Sequence, residues 1–175
     1  MSISAAIRPQ EADLLERVDA IARACAMADT SHLYAAIDAF VHPEIGHSLC
    51  TFHRYVESNC SLVRLYSSNS EAYPPGGSKS KKGLPWGRHV LLERKIFVGE
   101  GEDAIRTSFD DHATIKALGL RSVINVPVVA QDQCLGTANF LMTDATVTPQ
   151  RIAMARLAAL LAMPAMLRAH AAAAV

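Results

Sequence analysis

The chain has 175 residues, 50% hydrophobic and 19% charged, the balance of an ordinary globular protein long enough to bury a core. Its 17 basic and 17 acidic side chains cancel, so there is no broad electrostatic footprint for a nucleic-acid backbone or an anionic membrane surface. The N-terminus lacks the basic-then-apolar pattern of a secretory signal, and the longest apolar run, Ile152 to Leu167, is broken by Arg156 and Pro164, short of a bilayer span. Cys25, Cys50, Cys60 and Cys134 are scattered without a CxxC pair, which gives no support for a structural zinc or a disulfide framework. The expectation is a single domain over residues 1–175, core about 11–165, in the reducing cytoplasm.

Between Pro9 and Ala28, Leu14, Leu15, Val18, Ile21, Ala22 and Cys25 recur at helical spacing, with charged residues mostly opposite. Asp29-Thr-Ser signals a second helix start, and Leu33, Ile37, Phe40 and Val41 form its buried stripe up to His42-Pro43. His47 to Tyr55 and Ser61 to Ser67 read as a hairpin around Glu57-Ser-Asn59. Residues 67–85, rich in Ser, Gly and Pro, read as a long irregular loop that carries Lys79, Lys81 and Lys82 as a solvated basic cluster and is anchored at its far end by Trp86, the only tryptophan.

Val90 to Glu93 fits a helical turn, Ile96 to Val98 a short strand, and Asp103 to Phe109 a helix; Asp110 or Asp111 can cap a further helix to Leu118. Gly119 suits the left-handed end of that helix, and the β-branched Ser122 to Val129 segment should follow it as a buried strand. A short polar turn containing Asp132 leads to a partner strand ending near Met142. Thr148-Pro149 then opens an alanine- and leucine-rich helix to about Met163. This order predicts an α/β (α+β) sandwich with a central antiparallel sheet.

The run Leu118-Gly-Leu-Arg-Ser-Val-Ile-Asn-Val-Pro-Val, the following Leu135-Gly-Thr-Ala-Asn-Phe and the framing helices resemble the GAF domain family over residues 11–165. The resemblance implies a GAF/PAS-like sandwich with the terminal helices on one face and a pocket on the other, roofed by the loop and short helices. It implies a free-standing sensory or regulatory module, and, as family members often do, a homodimer through terminal helices carrying Leu14/Val18/Ile21/Cys25 and Ile152/Met154/Leu157/Leu160/Leu161. Nothing around the four cysteines resembles a bilin attachment context, and residues 61–133 hold no cysteine of the kind methionine sulfoxide reductases of this family use.

Polar residues in mid-strand need partners if buried. Alternation puts Thr51, His53 and Tyr55 on one face of the first strand, and Arg64 with Tyr66 on one face of the second; Asn125 and Asn139 sit in the middle of the last two. The candidate ligand-binding set is His53, Arg64, Tyr66, Trp86, Asp111, His112, Arg121, Asn125 and Asn139, for an anionic or heterocyclic small molecule. No cofactor or metal is assigned. Bland readings stand beside this one: solvent-facing His53 and Arg64, a core plug at Trp86, a capping aspartate at 110 or 111. A small enzyme stays open as an alternative, with Cys50 near His47 and His53 as nucleophile or His47, His53, Asp111 and His112 around a metal, although alternation sets Cys50 on the face opposite His53. A pure protein-interaction module is the third reading.

Overall fold

The computed structural model describes residues 9–173; the first eight, which carry part of the argument against a secretory signal, lie outside them. Six antiparallel strands form one sheet in the order β3-β2-β1-β6-β5-β4, namely β1 (Leu49–Val56), β2 (Ser61–Ser67), β3 (Ser78–Ser80), β4 (Phe97–Glu100), β5 (Ser122–Ala130) and β6 (Gln133–Met142). Three long helices cover one face: α1 (Pro9–Cys25), α2 (Ser31–Ile45) and, at the C-terminal end, a 25-residue helix over Pro149–Ala173. The short helices α3 (Pro85–Gly87), α4 (Gly101–Ser108) and α5 (His112–Ala117) lie between β3 and β5, so the closing helix is α6.

Local chemistry accounts for the element ends. The β5–β6 hairpin closes through Gln131 and Asp132, both at positive φ, the tight turn whose twist matches paired strands. Gly119, at φ 71, ends α5 in the left-handed region and turns the chain into β5. Thr148 caps α6 by accepting a hydrogen bond from the Arg151 N–H at 3.3 Å.

Three elements run differently from the sequence reading. Helix α2 continues through Pro43 to Ile45 and stops at left-handed Gly46, because a proline in the last turn forfeits only one backbone bond. The 67–85 segment is not wholly irregular: Ser78–Ser80 pairs with β2 as an edge strand. Helix α6 passes through exposed Pro164 and runs ten residues beyond Met163 to Ala173. It is thereby long and apolar enough to cross a membrane by length and composition, yet Ala155, Ala158, Ala162, Ala165 and Met166 bury one side of it on the sheet.

The main core lies between sheet and long helices, where Tyr34 stacks on Phe52 at 4.8 Å and Phe140 meets Phe52 edge-on. Two smaller clusters, around Ile105/Ile115/Val123 and around Tyr55/Leu62/Trp86/Val90, occupy the opposite face under the short helices. They do not fill it.

Candidate functional site

A cavity of about 70 Å³ opens on the short-helix face, room for roughly five to seven waters on the scale where one needs about 10–15 Å³. Its floor is the sheet, presenting Thr51 and His53 from β1, Arg64 from β2, Asn125 from β5 and Asn139 from β6. Its walls are the strap carrying Tyr73, Lys79 and Lys81, then Trp86, Phe109, Asp111 and Ile115. Trp86 is 6% exposed and serves both as core filling and as cavity wall. Gly87 makes that wall tight: a Cβ there would lie 2.5 Å from the Lys81 carbonyl oxygen.

Charge is unevenly matched around the cavity. Lys79 Nζ sits 2.7 Å from Asp111 Oδ2. Burial works against the Asp111 carboxylate, but the hydrogen bond and charge of Lys79 outweigh it and hold the group below its ordinary value. Arg64 is buried at 7% exposure; its Nη1 donates to the Pro74 carbonyl at 2.9 Å, its guanidinium lies 5.0 Å from the Tyr73 ring centre, and its Nε has no partner. Lys81, at 6% exposure, makes no ion pair among the described residues and lies 5.2 Å from the Trp86 ring centre. Burial and the neighbouring Lys79 lower its pKa. The buried Tyr73 hydroxyl lies beside the Asp111 carboxylate, outside strict hydrogen-bond geometry.

His53 faces this field. Burial, then the charges of Arg64, Lys79 and Lys81, push its pKa down from 6.5 to about 3, so the ring is neutral. A polar chain crosses the floor: Trp86 Nε1 donates to Asn125 Oδ1 at 2.9 Å, Asn125 Nδ2 to Asn139 Oδ1 at 2.8 Å, and Asn139 Nδ2 lies 2.8 Å from His53 Nδ1.

Of the nine residues singled out from the sequence, six line the cavity: His53, Arg64, Trp86, Asp111, Asn125 and Asn139. Three do not. Tyr66 lies on the helix face, its hydroxyl 2.7 Å from Asp38 Oδ2, because β2 carries a bulge: Phe52 pairs with Tyr66 but His53 with Arg64, leaving Leu65 unpaired and Arg64 and Tyr66 on opposite faces. His112 is exposed on an open groove outside the cavity, and Arg121 is exposed just before β5. Asp111 occupies the cap position of α5 but makes no cap bond, its carboxylate being turned to Lys79.

Tyr73, Lys79, Lys81 and Phe109 are lining residues that reading the sequence passed over. The basic cluster is solvated only in part, since Lys81 is buried and Lys79 paired while Lys82 is exposed. The anchoring tryptophan after it was the available signal that this strap folds inward.

The enzyme constellations come together only in part: Cys50 and His47 meet, but His53 and Asp111 lie across the sheet from them and His112 outside the cavity. Cys50 points into the helix-side core, its thiol raised well above its ordinary value by burial and then by Asp38. His47 is on that side too, 2.5 Å from Asp38 Oδ1. Asp38, His47 and Cys50 thus converge, and the hydrogen bond between His47 and Asp38, with Tyr66 on the other carboxylate oxygen, reads as a buried polar tie.

No protein-family model and no curated relative matches the chain. Solved structures do. The chain is similar to the GAF domain of an Acinetobacter phosphoenolpyruvate-protein phosphotransferase at 16% identity and TM-score 0.68, covering 93% of this chain and 98% of that one. It is similar to the corresponding Coxiella burnetii domain at 13% identity and TM-score 0.70, covering 94% and 98%. The phycocyanobilin-bound GAF domain of a cyanobacterial phytochrome aligns at 15% identity and TM-score 0.64, covering 93% and 96%. The chain has the GAF-domain fold. In this GAF fold the cavity lies on the face of the sheet away from the three long helices, under the strap and short helices.

Proposed function

We propose that this chain, read as one domain over residues 1–175, is a sensory or regulatory module that binds a small anionic molecule with a planar or apolar body, and works in the cytoplasm. One observation supports the reading most: Arg64 Nε and Lys81 are buried at a cavity whose one carboxylate, Asp111, is already paired with Lys79. An incoming carboxylate or phosphate would satisfy those donors, and Trp86, Phe109 and Ile115 would take its apolar part. The phytochrome domain in the comparison is phycocyanobilin-bound. A cavity of about 70 Å³ without a cysteine in its lining favours a far smaller ligand here.

Association through the terminal helices is part of the proposal. Leu14, Leu15 and Val18 on α1 and Leu160 and Leu167 on α6 stay 43–62% exposed in apolar stripes. Light scattering should give a dimer that Leu14→Glu with Leu160→Glu converts to monomer; a monomeric wild type would remove this part.

The ligand reading is tested by thermal shift with short-chain carboxylates, nitrogen heterocyclic carboxylates and inorganic phosphate. Saturable stabilisation without turnover, lost in Arg64→Met, is expected. Stabilisation by no member of that panel would overturn the anion reading, and conversion of a bound member would replace the sensor with an enzyme.

A further inference from the structure

The floor of the cavity carries a hydrogen-bond chain whose direction is set at one end. An indole nitrogen can only donate, so the amide oxygen of Asn125 must be the atom facing Trp86 Nε1, 2.9 Å away. Asn125 Nδ2 is then the donor to Asn139 Oδ1 at 2.8 Å, which turns the Asn139 nitrogen toward β1. That orientation has an independent anchor: Asn139 Nδ2 lies 3.2 Å from the carbonyl oxygen of Thr51, which can only accept. The same nitrogen is 2.8 Å from His53 Nδ1.

An amide nitrogen offers no lone pair, so a proton on His53 Nδ1 would be aimed at another N–H. Nδ1 must therefore be bare, and the neutral ring carries its hydrogen on Nε2. With Nδ1 committed to the sheet, Nε2 is the nitrogen left for the cavity that His53 lines. His53 is also the direct cross-strand partner of Arg64, so the two side chains leave neighbouring points on the same face of the sheet.

We infer that His53 and Arg64 form a subsite for a ligand oxyanion in which Trp86, acting through Asn125 and Asn139, holds His53 as a fixed Nε2–H donor. The inference rests on the cavity being a ligand site. Trp86, Asn125 and Asn139 are positioning residues in it; His53 and Arg64 are the groups that touch the ligand. A carboxylate, phosphate or enolate oxygen fits this end, while an ammonium or an N–H of a heterocycle meets only donors. The depressed pKa of His53 agrees with a ring kept neutral beside three cations.

Long-range proton–nitrogen correlation spectra of the intact chain near neutral pH test the assignment directly. His53 should show one protonated nitrogen, Nε2, and a bare Nδ1. Asn139→Asp replaces the donor facing Nδ1 with an acceptor and should reverse the tautomer or protonate both nitrogens. Trp86→Phe, which frees the Asn125 amide to flip and leaves the Thr51 carbonyl as the remaining anchor of Asn139, should admit a minor Nδ1–H population. An Nδ1–H tautomer, an even mixture or an imidazolium in the wild type overturns the inference, as does a spectrum that Asn139→Asp leaves unchanged. Saturating propionate should move the Nε2 signal and leave Nδ1 in place. Saturable binding without that movement overturns the subsite; no binding by propionate or any other small anion would count against the cavity reading itself and leave the tautomer assignment standing.

Discussion

On the helix-covered side of the sheet, Tyr34, Phe52 and Phe140 pack ring against ring, and Asp38 holds His47 and Tyr66 within hydrogen-bond distance. On the other side, Arg64, Lys81 and Tyr73 are buried around an opening that no described residue fills. Both sides draw on the same strands: Phe52 and His53 are neighbours in β1, one in each layer. Guanidinium nitrogens without partners occur in both layers, but Arg17 and Arg168 on the helix side are only half-buried, whereas Arg64 is buried and lines the opening. A half-buried charge keeps access to water, whereas one buried beside an opening attracts a counter-charge. The contrast teaches that burial and polarity must be read together: the two layers differ in which unsatisfied groups they keep from water.

Breaking the packed layer should have the largest effect. Phe52→Ala should destabilise by about 3–5 kcal/mol, read by denaturant unfolding. Arg64→Met should change stability by less than about 2 kcal/mol, because replacing a buried charge with an apolar chain of similar size is often close to neutral.

Acid should weaken the open layer specifically. His53 is lowered in the folded chain from 6.5 to about 3, so the unfolded chain takes the proton first. Stability is therefore full above about 6.5 and falls toward about pH 3, by up to about 1.4 kcal/mol per pH unit for this group. Asp111, also lowered, acts in the same direction as pH drops through its folded value. His53→Gln should flatten the upper part of that slope in chemical unfolding from pH 7 to pH 4; an unchanged slope would remove His53 as its cause.

The smallest effect should come from thiol chemistry. Burial raises Cys50 far above its ordinary value and takes Cys134 to about 11. Both should react with iodoacetamide at pH 8 far more slowly than after unfolding. Fast modification of Cys50 would reopen the nucleophile reading.

Most elements could be read from residues because their signals are local: the β-branched run of β5, the hairpin turn at Gln131 and Asp132, and the Thr148 cap. Asn125 and Asn139 were legible as residues of the cavity lining for a similar reason, since amides in the middle of apolar strands must be paired. Tyr66 could not be placed correctly, because alternation holds only while the register does, and nothing about Leu65 announces an unpaired residue. The strap lysines were misjudged because their burial depends on contacts with Trp86 and Asp111, far along the chain, rather than on their Ser- and Gly-rich neighbours. Tyr73 and Phe109 join the cavity in the same long-range way.

The bulge at Leu65 also sets how such a pocket can change over generations. Upstream of it Leu62 and Arg64 belong to the cavity; downstream Tyr66 belongs to the helix side. Substitutions alter β2 one side chain at a time, but regularising the strand at unchanged length would set Arg64 and Tyr66 on one face, whereas deleting Leu65 itself would leave each on the face it has now. In comparing chains of this fold, whether that extra residue is present then decides which letters of this strand are counted as facing the cavity.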